Sequence, residues 1–244
     1  MKSLTIKILH IIFGYENYLN IFSIFKIQTL SFDSRKSDFL FFETLLSNQA
    51  NILVIGACTG ITTIPLANKH SQRTIFAYEP SSYNYKALNR VISHYKLKNI
   101  HTYNIGLGNM TGGKELILPI VNGIKKQGMA HIKDPSILEY NDGIKETIYV
   151  DRLDERTEIQ QIKIEGIKMV AENFELQILE GARMMIKKNK PLIYCELWHN
   201  EKRQPVFDLI KSYNYEIYYE KNGQLTPYQE NEYNGKNFFF KPTI

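Results

Sequence analysis

The segment Gly56-Ala57-Cys58-Thr59-Gly60 places two glycines in a short loop after an apolar run. Glycines there permit backbone conformations and close approaches that a Cβ would forbid. A helical pattern follows, whose first turn offers unpaired N–H groups to an anionic group. Glu79 stands 19 residues beyond Gly60, at the end of the next apolar run, where a carboxylate can accept hydrogen bonds from both ribose hydroxyls. The pairing marks an adenosine-containing cofactor; the alternative is a loop glycine pair beside an incidental acid. The dinucleotide fingerprint G-x-G-x-x-G needs a second glycine for the pyrophosphate. Cys58 occupies that place, and no third glycine follows at a matching position. S-adenosylmethionine (AdoMet) presents a carboxylate and an ammonium group here and tolerates a side chain, so it fits the loop better than NAD.

Other groups could act on a substrate. Glu196 and His199 close the run PLIYCELWH (191–199), and Trp198 between them could stack on a sugar face or simply pack. His94, His101 and His131 read as structural or solvated. Cys58 lacks a partner cysteine or an evident histidine, which argues against a redox nucleophile.

These residues need a scaffold that brings strand ends together. NILVIG (51–56), TIFAYEP (74–80), NIHTYNIGLG (99–108), IKMVAEN (167–173) and PLIYCELWH (191–199) read as strands. ITTIPLANKH (61–70), SSYNYKALNRVISHYKL (81–97), FELQILEGARMMIKKN (174–189) and residues 203–213 read as helices between them. The alternation predicts an α/β fold with a doubly wound, mostly parallel sheet. NYEIYYEKNG (214–223) and KNFFFKP (236–242) close it as an antiparallel C-terminal hairpin pair. Residues 111–150 read as an inserted excursion of short antiparallel strands. Upstream, residues 37–47 read as a helix, and Leu4, Ile8, Ile11, Ile12, Tyr18, Ile21, Phe22 and Phe25 recur at helical spacing, with Gly14 dividing two helices. Residues 1–36 are thus a helical extension and 37–244 the domain proper. Residues 1–30 could pack on the domain, pair two subunits, or touch a membrane surface with Lys2, Lys7 and Lys26 at the polar edge.

Composition narrows the function classes. The net charge is +5, but basic residues are interleaved with acids, so nucleic acid is not an expected partner. Two cysteines and six scattered histidines argue against a disulfide framework and a structural metal. No apolar run reaches membrane-spanning length, and His10, Glu16 and Asn17 break the N-terminal run, against a signal peptide. A cytoplasmic protein, peripheral to the inner membrane surface if residues 1–30 touch it, is the expectation.

ILVIGACTGITTIPLA, AYEPSSYNYKALNR, KMVAENFELQILEGA and PLIYCEL resemble, in order and spacing, the FkbM-type methyltransferases. The likeness covers roughly residues 40–200, and Arg152-Leu153-Asp154 fits the segment before the family's fourth core strand. It implies the class I methyltransferase (Rossmann-like) fold, AdoMet as cofactor and chiefly O-methylation, often of sugars, glycans or secondary metabolites. Gly56, Ala57, Cys58 and Gly60 would form the methionine-end loop, Glu79 would hold the ribose, and Gly106 would lie near the adenine. Glu172 matches the glutamate of the family's K-I-D-V-E-G motif and Glu175 the acid three residues on. Glu172 is then the base or substrate-orienting acid, or else a carboxylate that only orders the next helix; Glu175, Glu196 and His199 are substrate-side candidates.

The chain departs from the pattern within the site. Val54 and Val170 stand where the family has aspartates, Cys58 and Asn109 where it has Asn and Asp, and Asn173 where it has Gly. Lys163-Ile164-Glu165-Gly166 offers a second register, but Lys168 through Asn173 has the right spacing to Leu179-Glu180-Gly181-Ala182; Glu165 is then expected in a loop. Three functions compete: an AdoMet-dependent O-methyltransferase for a saccharide or other small hydroxyl compound, a divergent methyltransferase-like binding or scaffold protein with little or no catalysis, and an NAD-linked oxidoreductase, which the loop disfavours.

Overall fold

A computed structural model describes residues 2–47, 50–135, 137 and 139–243, with the side chains of residues 2–4 outside the described set. Helices α1 (Lys2–Phe13) and α2 (Tyr15–Gln28) are parted by Gly14 at φ +71, a conformation that favours glycine. α3 (Ser37–Leu45) then leads to β1 (Asn51–Ile55), α4 (Thr63–Lys69), β2 (Ile75–Tyr78), α5 (Ser82–Tyr95) and β3 (Ile100–Tyr103). The excursion holds β4 (Gly106–Leu107), β5 (Gly112–Val121), β6 (Ile124–Lys125), β7 (His131–Ile132) and β8 (Gly143–Asp151). After α6 (Thr157–Gln160) come β9 (Ile164–Met169), α7 (Glu175–Gly181), α8 (Arg183–Asn189), β10 (Leu192–Glu196) and α9 (Arg203–Ser212). The last strands are β11 (Tyr215–Lys221), β12 (Gln224–Pro227) and β13 (Asn237–Pro242).

The eight-stranded main sheet runs β12-β11-β13-β10-β9-β1-β2-β3. Strands β1, β2, β3, β9 and β10 are parallel, and β13, β11 and β12 antiparallel, as the alternation predicts. The chain winds outward from β1 to β3 and returns to β9 on the other side of β1. This reversal opens a crevice at the carboxyl ends of β1 and β9, where open α/β sheets bind ligands. The central strands are buried on both faces and are near-continuously apolar for that reason.

The excursion is a second sheet, β4-β8-β5-β6 with β7 on β5. Glu146 of β8 anchors it over the crevice: its carboxylate accepts from the Ser82 N–H at 2.8 Å and from the Ser81 and Ser82 hydroxyls. The Ser82 bond satisfies one free N–H in the first turn of α5, which lacks a cap from its own Ser81.

Four elements differ from the sequence reading. Residues 99–108 form two strands in different sheets rather than one. β12, unforeseen, extends the C-terminal pair. Glu165 is the second residue of β9, not a loop residue; it pairs with Arg73 at 3.1 Å at the amino end of the strand, whereas Glu172 follows the carboxyl end. Finally, residues 174–189 break into α7 and α8. A Cβ on Gly181 would lie 1.8 Å from the Gly108 carbonyl oxygen, so α7 abuts the turn after β4. Asp154 then caps α8, accepting from the Met184 and Met185 N–H groups at 2.8 and 2.9 Å. Asp154→Ala is expected to lower stability by about 1–2 kcal/mol in thermal or urea denaturation, as loss of a helix cap does.

The N-terminal helices pack by one face. Tyr18 and Leu19 of α2 are buried with Ala87 of α5, and the Ser23 hydroxyl donates to the Thr59 hydroxyl at 2.7 Å, bracing the glycine loop. The opposite face leaves Ile11 82% and Phe25 60% exposed. Among the described residues no helix is long and apolar enough to cross a membrane.

Candidate active site

A cavity of about 520 Å³ occupies the crevice, a size typical of small-molecule sites. Its floor is the end of β1 and the loop after it. Gly56 has φ +71, and a Cβ there would lie 1.8 Å from the Val170 carbonyl oxygen, so the crossing of the loop over β9 admits glycine alone. Cys58 also lies in the left-handed region, at φ +49. Asparagine, the residue that the family resemblance places there, takes that conformation more readily than most. Burial, then the charge of Glu79, push the Cys58 thiol up to about 12, against a reactive thiolate.

Glu79 is buried on the cavity wall. Its Oε2 accepts from the Cys58 N–H at 2.8 Å, and its Oε1 from the Ser81 N–H at 3.0 Å and the Asn84 amide at 3.3 Å. The carboxylate therefore ties the glycine loop to the start of α5. Three of its roughly four lone-pair positions are used, which leaves room for a ligand hydroxyl. Burial raises its pKa to about 7 against the pull of these donors. Gly106 and Leu107 continue the wall along this side.

Opposite stands the turn after β9. The Val170 N–H still bonds to the Ile55 carbonyl at 3.1 Å; the chain then leaves the sheet through Glu172 and Asn173, at φ +48 and +77. Asn173 occupies the place where the resemblance expects glycine, and asparagine tolerates that geometry best after glycine. Glu172 reaches the cavity wall from this turn. Burial first, then the neighbouring charges of Glu196 and Glu175, raise its pKa to about 8. Glu196, at the end of β10, also lines the cavity and pairs with Lys236 at 2.5 Å.

The structure thus brings Gly56, Ala57, Cys58, Glu79, Gly106, Glu172 and Glu196 to one cavity. Gly60, at φ +89, shapes the loop from behind, where a Cβ would press on Leu88 at 3.0 Å. Two substrate-side candidates are not brought to the wall. Glu175 is buried beneath the turn and accepts from the Ala171 N–H at 2.8 Å, so its carboxylate holds residues 171–175 in shape. His199 is exposed and meets Arg203 at 3.3 Å, beyond the rim.

Val54, whose apolar side chain replaces an expected acid, is fully buried with Ala57, Leu66 and Tyr194 and does not form part of the wall. It stands beside Lys168 in the sheet register. Val170 does line the cavity and presents no charge there.

Several wall residues escaped the sequence reading. Lys168 of β9 is 6% exposed and donates to the Gly56 carbonyl at 3.2 Å. A lysine between Ile167 and Met169 in an apolar strand was the available signal. Lys36 before α3, Lys236 before β13 and the roof segment Gln127–Ile132, which includes His131, also line the cavity. No local pattern marks these, because they meet the site only through the tertiary fold.

A family model described as "Methyltransferase FkbM domain" matches residues 55–221. No curated protein matches the chain in sequence. Among solved structures it is similar to methyltransferase FkbM from Methylobacillus flagellatus KT, at 19% identity and TM-score 0.55, over 82% of this chain and 47% of that one. The chain therefore spans about half the length of that structure. It is also similar to Aeropyrum pernix fibrillarin in complex with natively bound S-adenosyl-L-methionine, at 10% identity and TM-score 0.50, over 86% of this chain and 74% of the other. These likenesses show the class I methyltransferase fold.

Proposed function

Because this chain belongs to the FkbM methyltransferase family, we propose that it transfers the methyl group of AdoMet to a hydroxyl of a saccharide or another small hydroxyl-bearing acceptor. The observation that carries this reading is that the Gly56–Cys58 loop, Glu79 and Glu172 face one cavity from opposite sides. The residues fit the cofactor: a glycine-only loop gives close backbone approach, Glu79 keeps acceptor capacity for a ribose, and Lys168, without an ion pair among the described residues, stands beside the loop.

When bound, AdoMet supplies a methyl group on a sulfonium. In this reading Gly56–Cys58 and Glu79 would hold its methionine and ribose portions, and Gly106 would stand on the base side. Glu172 accepts the acceptor's hydroxyl proton, and Glu196, fixed by Lys236, orients the acceptor. Trp198, also on the wall, offers a flat face to a sugar ring. The roof segment Gln127–Ile132 bounds the acceptor's space.

Calorimetry with AdoMet, S-adenosylhomocysteine and NAD tests the cofactor assignment. Saturable binding of the first two is expected, with NAD inert and Glu79→Ala without measurable binding. Binding of none of the three would remove the enzyme reading and leave a binding or scaffold role, which the uncharged Val170 on the wall would suit.

A further inference from the structure

We propose that Lys168 and Lys36 form an anion-binding site in the cavity, taking one carboxylate-type group of a bound ligand. Lys168 stands in the sheet between Val54 of β1 and Tyr194 of β10, both buried and neither a carboxylate. Among the described residues it has one acceptor, the Gly56 carbonyl, and no carboxylate within ion-pair distance. An ammonium carries three donors, and a buried charge without a counter-ion is unfavourable unless something else meets it. Lys36 lines the same cavity without an ion pair among the described residues, and its charge is the strongest one acting on Lys168.

Of the acids on this wall, Glu172 makes no ion pair with Lys168, and the other two are already engaged. Glu196 is held by Lys236, and Glu79 by the N–H groups of Cys58 and Ser81 and by Asn84. Burial and Lys36 together bring the Lys168 pKa down to about 8, as two cations drawn to one wall would. A single oxyanion between them would relieve both the desolvation and the repulsion. The carboxylate of the AdoMet amino-acid tail is one source, and that arm rests on the cofactor reading above. An acid group on the acceptor, such as that of a uronic acid, is the other.

Calorimetry on the full chain separates the two. The probes are S-adenosylhomocysteine, 5′-methylthioadenosine (which keeps the adenosine but lacks the amino-acid tail), glucuronate and glucose. If the cofactor supplies the anion, Lys168→Gln weakens S-adenosylhomocysteine by about 10- to 100-fold, as loss of a charged hydrogen-bonded partner does. Lys36→Ala then weakens it less, and methylthioadenosine changes by less than about twofold in both variants. If the acceptor supplies it, S-adenosylhomocysteine is unaffected, and glucuronate binding, absent for glucose, is lost in Lys168→Gln. Lys168→Arg should restore part of either loss. A wild-type chain that binds neither adenosine probe would sink the cofactor reading, while glucuronate binding lost in Lys168→Gln would still support the anion site. Wild-type affinity for every probe in both variants overturns the proposal, as does a wild-type chain that binds neither S-adenosylhomocysteine nor glucuronate. Unchanged or higher melting temperatures for the variants exclude misfolding as the cause.

Discussion

Glu172→Gln is expected to slow methyl transfer by about 100- to 1,000-fold, the range of a lost general base, while AdoMet affinity changes by less than about threefold. The expectation follows from position and charge together. Glu172 projects into the cavity from a turn locked by Glu175, across from the loop and Glu79. Its raised pKa, about 8, makes it a stronger proton acceptor than an ordinary carboxylate but keeps much of it protonated at neutral pH. The wild-type rate should therefore climb with pH to a plateau above about 8, and the glutamine variant should lose that limb. Equal losses of rate and cofactor affinity would show instead that Glu172 helps to hold the cofactor.

The same group has a stability signature of opposite sign. Between pH 4.5 and about 8 the unfolded chain has released the Glu172 proton and the folded chain retains it. Folding stability thus falls as pH rises through that window, and Glu172→Gln removes its share of the slope, leaving those of Glu79 and Glu175, which are raised to about 7. A variant slower in catalysis yet more stable at pH 8 than wild type would bear the mark of a group held at the site for chemistry rather than for packing.

How much of this was legible in the sequence depends on the range of the contacts. Strands β1, β2, β9 and β10 announce themselves as apolar runs because both faces of the sheet are covered. The glycine loop and Glu79 are legible because each ends a strand. Glu172 needed the spacing to Leu179 to be chosen over Glu165, and the sheet shows why the choice matters: the two acids lie at opposite ends of β9. The break between α7 and α8 is invisible locally, since it depends on Gly108 in the turn after β4 and on the Asp154 carboxylate. The weight given to Val54 also changes. Position 54 faces the buried cluster beside Lys168, so an apolar residue there leaves the cavity wall intact and a lysine without its neighbour.

Gly56→Ala is expected to be severely damaging to both fold and site. Two penalties coincide there. At φ +71 an alanine sits in the left-handed region, which costs about 1 kcal/mol. Its Cβ would also lie 1.8 Å from the Val170 carbonyl oxygen, a backbone atom fixed by the β1–β9 ladder. Relief requires β1 and β9 to part at their carboxyl ends, which would open the cavity floor and displace Glu172. Gly223 provides the control. At φ +74, with nothing within 4 Å of an added Cβ, it isolates the conformational penalty from the clash. Gly223→Ala should lower stability by about 1 kcal/mol, and Gly56→Ala by more than about 4 kcal/mol, the exceptional range for a point change, with loss of AdoMet binding in whatever folded fraction remains. Similar denaturation midpoints for the two variants would mean that the loop can move off β9, and that the close crossing of Gly56 over Val170 is not what shapes the site.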